Sequence, residues 1–462
     1  MEKTVRQKRQ HADQVALTTG SLKKALVLFA IPLFFSQLFQ TLYNTADTVI
    51  IGYSLGDLSL AAVGAVASLF ELMVGFCTGF GNGLGIVAAQ KYGAKDMKAF
   101  HHVIGLSILL AGIASVILSI VVGLGLPSIL RFMRTSPEIF DLSYSYISVI
   151  CGGLIITVFY NLCAGMLRAI GDSITPLIIL MISSLLNIGL DLYFITGLNM
   201  GVAGTAWATL IAQLVSLIIC LVWIAFRKKE LVPHARDFVW NGAMVKNLCS
   251  MGFSMALMSS IVSAGTLILQ IGINTQGTMI VSGHTAARKL LSILNLPIVA
   301  MMTALSSFVA QNIGAGKEER AEKGIAFANR IGLYYSILLT IFIFFFARIL
   351  VELISGSASD EVISTGALYL RTNIPFFPVL VVLLNLRTSM QSMSLKTVPV
   401  LSSVIELAGK ILFTLCIVPF TGYLGVCFTE PAVWCAMALF LAIFYLKNPV
   451  FKKAGIRTRI FR

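Results

Sequence analysis

Apolar runs of about twenty residues or more recur along the whole chain, broken only by short polar, Gly- or Pro-containing stretches. A hydrocarbon core about 30 Å thick needs roughly 20 apolar residues per helical crossing, and every backbone N–H and C=O inside it must find a partner within the chain. Runs of this kind are therefore spanning helices. Gly, Pro and charge breaks predict spans over residues 25–51, 60–90, 103–126, 142–166, 176–196, 202–226, 248–273, 279–312, 325–354, 362–386, 398–419 and 425–446. We expect an all-α integral membrane protein of about 12 transmembrane helices with no sizeable soluble domain. Of 462 residues 57% are hydrophobic and only 12% charged, whereas a soluble domain carries about a quarter charged residues.

The formal charge of +14 sits in short blocks between apolar runs and forms no folded basic module, which argues against nucleic acid as a partner. The blocks alternate in side. Cations fill the N-terminal tail (Lys3, Arg6, Lys8, Arg9, Lys23, Lys24), residues 91–98, Arg168, 227–246, 317–330, 387–396 and 447–462, while the intervening loops hold Arg131, Arg134 and Arg348. Inward loops keep the excess of Lys and Arg. With an even span count, both termini and the loop beginning Arg227, Lys228, Lys229 are expected in the cytoplasm, in a multi-pass protein of the inner cell membrane. The first 24 residues lack the apolar core and cleavage site of a signal peptide, so the first span is expected to act as an uncleaved signal. The eight cysteines form no C-x-x-C pair and read as small buried hydrophobes.

Ala89, Gln90, Lys91, Tyr92, Gly93, Ala94 near the end of the second predicted span is matched by Ala310, Gln311, Asn312, Ile313, Gly314, Ala315 near the end of the eighth. At nearly the same offset Gly64, Ala65, Val66 fall opposite Thr285, Ala286, Ala287, and Pro176 opposite Pro399. Three matches at nearly one offset indicate duplication. Six spans per half is even, so the repeats are expected to be parallel, with a cavity between them. The implied segments are a tail over 1–24, an N-lobe over 25–226 (spans 1–6), a connecting loop over 227–247, a C-lobe over 248–446 (spans 7–12) and a basic tail over 447–462.

An ionisable side chain at the centre of a spanning helix costs about 2.5 to 3.5 kcal/mol on insertion scales, so intramembrane acids need a reason. In the first span Gln37, Gln40, Asn44 and Asp47 share one helical face, with Tyr43 beside it. Ser184, Asn187 and Asp191 do the same in the fifth, and Thr205, Thr209, Gln213 and Ser216 in the sixth. Two carboxylates, an amide oxygen and a hydroxyl form an oxygen-rich set suited to Na⁺ or to one shared proton. Plain alternatives are that Asp47 is hydrated at the outer interface near Gly52, and that Asn187 and Thr209 only bond between helices.

Pro32 with Tyr43 and Asp47, the Ala-Gln-x-x-Gly-Ala pair, and Gly201-Val-Ala-Gly204-x-Ala206 before Thr209 resemble the MATE (multidrug and toxic compound extrusion) family over nearly the whole chain. The resemblance implies a V-shaped pair of six-helix lobes and export driven by Na⁺ or H⁺. It also implies that Asp47, Tyr146, Asn187, Asp191 and Thr209 form the amino-terminal cation-coupling site, with Na⁺ as a metal at Asp47, Asn187, Asp191 and Thr209. Pro32 matches the proline at which the family's first span bends, or is simply a helix-start proline.

Some relatives also carry acids in spans seven and ten; here span seven offers Ser259, Ser263, Thr266 and Gln270, and span ten Asn385. Coupling is thus expected to rest on the first half. In span eleven Glu406 and Lys410 are spaced for an i, i+4 ion pair, which either neutralises itself or lines the cavity. Gln37, Gln40, Tyr43, Asn44, Gln270, Glu406 and Lys410 are the candidate substrate-cavity residues. Glu430, before Pro431, reads as a helix-start acid at the outer surface, and His284 beside Arg288 and Lys289 has no metal motif around it. Gly79, Gly81, Gly83 and Gly85 lack the Lys-Ser/Thr of a phosphate loop and read as close helix packing.

No nucleotide-binding domain, G-x-S-x-G or H-E-x-x-H is present, so the energy source is expected to be an ion gradient, with no cofactor and no enzyme activity. The expected function is a monomeric secondary antiporter in the lipid bilayer that exports amphipathic, often cationic small organic molecules in exchange for H⁺ or Na⁺. The alternative is a flippase for lipid-linked or polysaccharide precursors, which would hold several cations in its cavity.

Overall fold

A computed structural model of the chain describes residues 14–133, 135–357 and 359–461. The tail cations Lys3, Arg6, Lys8 and Arg9, and Arg134 of the outer loops, lie outside the described residues. Among the described residues all regular structure is helical. The order is α1 (Leu22–Gly93), α2 (Met97–Phe132), α3 (Pro137–Gly152), α4 (Leu154–Ala169), α5 (Ile174–Leu192), α6 (Val202–Arg227), α7 (Gly242–Asn274), α8 (Thr278–Gly314), α9 (Glu318–Ser355), α10 (Asp360–Asn373), α11 (Phe377–Ser392), α12 (Thr397–Leu412), α13 (Val418–Thr421), α14 (Tyr423–Leu446) and α15 (Pro449–Lys453).

At 1.5 Å per residue the 72 residues of α1 would make a rod of about 108 Å, far more than one bilayer. Gly56 breaks it, with φ 79° and ψ −179°, a conformation that glycine adopts without a Cβ penalty. Among the described residues ten helical stretches are long and apolar enough to span, and α3 with α4, bent by 49° about Gly153, makes an eleventh. Since Gly56 turns α1 into two crossings, the chain has about twelve.

The duplication extends to backbone detail. A π turn, Tyr193–Gly197, follows α5, and another, Phe413–Ile417, follows α12. The next long helix after each, α6 and α14, is then N-capped by a glycine of nearly the same geometry, Gly201 (φ 61°, ψ −149°) and Gly422 (φ 59°, ψ −141°), with the single-turn α13 intervening in the second case.

Prolines inside helices leave carbonyls that other side chains cover. Pro431 lacks the N–H that the Cys427 carbonyl would receive, and the Asn373 amide of α10 donates to that carbonyl at 3.2 Å. Near Pro297 of α8, the Tyr335 hydroxyl donates to Leu294 O at 2.7 Å.

The chain forms two compact units. The first holds Ile31–Ser259 and the segment ending at Ala16; the second holds Ser260–Arg462 and Leu17–Ala30. The divisions thus fall inside α1, just before Pro32, and inside α7, not in the loop over 227–247. Glycine explains the second case. A Cβ on Gly79 would sit 2.8 Å from Met255 O, and one on Gly83 2.7 Å from the Gly252 Cα, so the first part of α7 packs backbone to backbone on α1. On the other face of the same stretch Gly81 meets Asn161 and Gly85 meets Gly165, each at 3.2 Å, seating α4. Five cysteines are buried as expected, but Cys416 and Cys435 are exposed on their helices.

Candidate functional site

The polar face of α1 begins at Pro32. Hydroxyls along this stretch turn back on their own helix: Ser36 donates to Pro32 O, Thr41 to Gln37 O and Thr48 to Asn44 O, each at 2.9 Å. Their bonds are spent locally. Asp47 is not spent in this way, and its Oδ1 is buried with no hydrogen-bond donor.

Asp191 comes to it from α5, where it is fully buried two residues before the π turn. Wide turns of this kind re-aim side chains and recur at functional sites. The two carboxyl groups lie within hydrogen-bonding reach of each other. Tyr43, bonded to the Gln40 side chain, and Tyr146 of α3 both lie within electrostatic reach of both acids. Asn187, one turn before Asp191, is 2% exposed and has neither amide atom hydrogen-bonded.

Buried polar atoms in native proteins are almost always satisfied, and an unpaired buried charge is costly. Here Asp47 Oδ1, Asn187 Oδ1 and both carboxyl oxygens of Asp191 are orphaned within one unit. These are hard oxygen donors of the kind Na⁺ takes, and two facing carboxylates equally suit one shared proton. Thr209 is buried on the neighbouring α6, but among the described residues no hydrogen bond joins it to either acid. Of the other expected polar residues in this unit, Gln37 is half-buried and Gln40 and Asn44 are exposed.

The second unit treats its charges differently. Lys410 Nζ donates to Glu406 Oε1 at 3.0 Å and lies 3.7 Å from Glu430 Oε1, while Arg387 lies 3.7 Å from Glu406 Oε2 and donates to Ser403. Glu430 is therefore no helix-start acid at the outer surface. It lies inside α14, where the helix runs through Pro431, and turns inward to Lys410. Spacing within one helix revealed the Glu406–Lys410 pair; the partners on α11 and α14 had no local signal. His284 is buried against Tyr369, with ring centroids 4.4 Å apart, and its Nδ1 lies 3.1 Å from the Tyr423 hydroxyl. Gln270 donates to Asn274 at 2.8 Å.

Two further features of the first unit were missed in the sequence. Lys228 and Asp172 form a buried ion pair at 3.1 Å, with Asp172 also accepting from Thr175 N at 3.0 Å. The second is a loop cluster, His101, His234 and Asp237, whose ligating atoms lie within 4.8 Å of one another. There Asp237 accepts from His234 N at 2.7 Å, a bond that holds its carboxyl below the usual carboxylate range, and His101 Nε2 lies 3.0 Å from Glu230 O. The first bond caps the short turn Ala235–Phe238, and the second ties the preceding turn Lys229–Leu231 to α2.

Comparison with known proteins bears on the family and the fold. The MatE family profile matches residues 32–193 and again 254–416. The probable multidrug resistance protein YpnP of Bacillus subtilis is 26% identical over 370 residues, covering 78% of this chain and 80% of that protein. The probable multidrug resistance protein NorM of Thermotoga maritima is 26% identical over 345 residues, covering 72% and 73%. A crystal structure of MATE in complex with MaL6 superposes with a TM-score of 0.87 at 26% identity, covering 96% of this chain and all of that one. Matched twice by the profile over well over half its length, and along nearly all of it by a solved relative, the chain belongs to the MatE family of multidrug efflux transporters.

Proposed function

We propose that the chain is a secondary antiporter that exports amphipathic, often cationic organic compounds in exchange for H⁺ or Na⁺, with both termini in the cytoplasm. The observation that carries this is the facing, donor-free pair Asp47 and Asp191 inside the first unit. Two carboxylates that near each other in low dielectric resist double ionisation, so a proton or Na⁺ entering between them relieves a repulsion. The bound and free states of the site then differ in free energy, and a gradient can bias that difference. Asn187 and Thr209 supply neutral oxygens to the ion, Tyr43 and Tyr146 wall the site, and Pro32 is the point at which α1 bends. An organic cation is attracted by the same negative site while apolar walls accept its rings.

The flippase alternative calls for several cavity cations, whereas the buried Arg387 and Lys410 of the second unit each face a carboxylate. The test is dye efflux from proteoliposomes under an imposed Na⁺ or pH gradient, paired with ethidium tolerance in a pump-deficient bacterium. One gradient is expected to drive efflux and tolerance is expected to rise. Unchanged tolerance to a broad panel, with the protein confirmed in the membrane, overturns drug export.

A further inference from the structure

Within the second unit, the start of α1 and the first turns of α9 border an open cavity of about 640 Å³ lined by Ser21, Leu22, Lys23, Lys323, Phe327 and Arg330. Three of its six lining residues are cations and none is an acid. Arg330 Nε is buried with no hydrogen-bond partner, so a polar group of the cavity wall is left unsatisfied. Lys23 Nζ stands 6.0 Å from the centre of the Phe327 ring, and Lys323 Nζ is engaged at 2.6 Å by Glu319, which is itself outside the lining.

The neighbouring cations have structural work. Arg320 donates to Gly20 O at 2.8 Å and to Thr19 O at 2.9 Å, and Lys317 to Thr18 O at 2.9 Å. These bonds pin the strap before α1 and so hold Ser21, Leu22 and Lys23 at the cavity edge. The first-turn N–H groups of a helix add positive potential at the same place.

Depth along the helices identifies the ligand. After Lys24 the sequence of α1 has no charge until Asp47, and after Arg330 that of α9 has none until Arg348. Both helices pass from charged to uncharged at the cavity, which is where headgroups meet acyl chains. Below Arg330 the outer face of α9 carries Tyr334, Ile337, Leu338 and Ile341, all exposed and placed at i, i+3, i+4 and i+7, an apolar track leading from the cavity.

We propose that this cavity binds a phosphate-bearing anion, supplied by the headgroup of an anionic phospholipid, with Arg330, Lys23 and Lys323 around the phosphate and the acyl chains along α9. Basic pockets between helices at headgroup depth have the chemistry for this ligand. Arg330 is suited to a forked contact with phosphate oxygens, and the two lysines to point attraction.

The test is native mass spectrometry of the delipidated full-length protein titrated with phosphatidylglycerol, with phosphatidylcholine, and with phosphatidylglycerol plus millimolar inorganic phosphate. Lys23→Gln, Arg330→Gln and the triple variant with Lys323→Gln are compared with Lys246→Gln as a control outside the cavity. Wild type is expected to prefer phosphatidylglycerol, and each cation removed to weaken it by about fivefold, with phosphatidylcholine unaffected. Lys23 is exposed, so its variant reports binding even where Arg330→Gln fails to fold. Undiminished phosphatidylglycerol binding by the triple variant, or equal binding of both lipids by wild type, overturns the proposal. Displacement of the lipid by inorganic phosphate assigns the site to a soluble phosphate and overturns the lipid source.

Discussion

The two units descend from one repeated sequence yet keep their buried charges in opposite conditions. In the first, Asp47 and Asp191 face each other with orphaned oxygens and, among the described residues, no ion-pair partner. In the second, Glu406 and Glu430 are met by Lys410 and Arg387, so the acids are neutralised in place. A satisfied network holds a shape; an unsatisfied pair waits for a ligand. The difference shows that an intramembrane acid is informative by what it lacks, not by its presence alone.

The largest expected effect breaks the first side of this contrast. Asp47→Asn and Asp191→Asn are each expected to reduce gradient-driven efflux to background without lowering the melting temperature, because the substitution keeps the volume and removes a repelling charge. Efflux from vesicles at fixed gradient, with substrate binding measured separately, checks it. Near-normal transport by both variants moves coupling elsewhere, with Glu406 the first acid to test.

Next is the network of the second unit. Glu406→Ala or Lys410→Ala alone leaves charges unpaired in low dielectric, which is expected to cost about 3 to 5 kcal/mol. The double variant removes their mutual bond only once and is expected to lose less than the sum of the two single losses, read as thermal stability and membrane yield. Additive losses would falsify the view that the two act as one unit.

Smaller effects sharpen the picture of the first site. Asn187→Ala removes a neutral oxygen worth about 1 kcal/mol and is expected to weaken ion affinity about fivefold while leaving transport measurable. Thr209→Ala is expected to do less, since no hydrogen bond joins Thr209 to the acids. Ion titration of efflux ranks the two, and a larger loss at Thr209 reverses the order. Pro32→Ala restores an N–H for the Leu28 carbonyl and is expected to leave ion affinity unchanged while slowing turnover. Unchanged turnover makes Pro32 an ordinary helix proline.

Much of the fold was legible because a bilayer imposes a length: each run of about twenty apolar residues had to cross. The glycines at 79, 81, 83 and 85 were legible as packing because alternate positions serve opposite helix faces, and the polar faces of α1 and α5 followed from helical spacing. What spacing along one helix does not carry is convergence. That Asp47 meets Asp191, or that Glu430 turns to Lys410 and not to the outer surface, depends on which helices pack together. The π turns after α5 and α12 were equally silent, since Tyr193–Gly197 and Phe413–Ile417 share little sequence although they occupy matching places. The Lys228–Asp172 pair joins a loop residue to a helix-start acid and left no periodic trace.

The divisions inside α1 and α7 bear on how such a chain is built and cut. By sequence the repeat is expected to end in the polar loop after α6, but the folded units exchange a piece of helix on either side of it: Leu17–Ala30 belongs with the second unit and the Gly242–Ser259 part of α7 with the first. Two polypeptides separated at that loop would each lack a helix segment of their own unit and carry one of the other's. Fission there is expected to yield complementary fragments, not two autonomous halves, because glycines 79 and 83 of α1 receive the first part of α7.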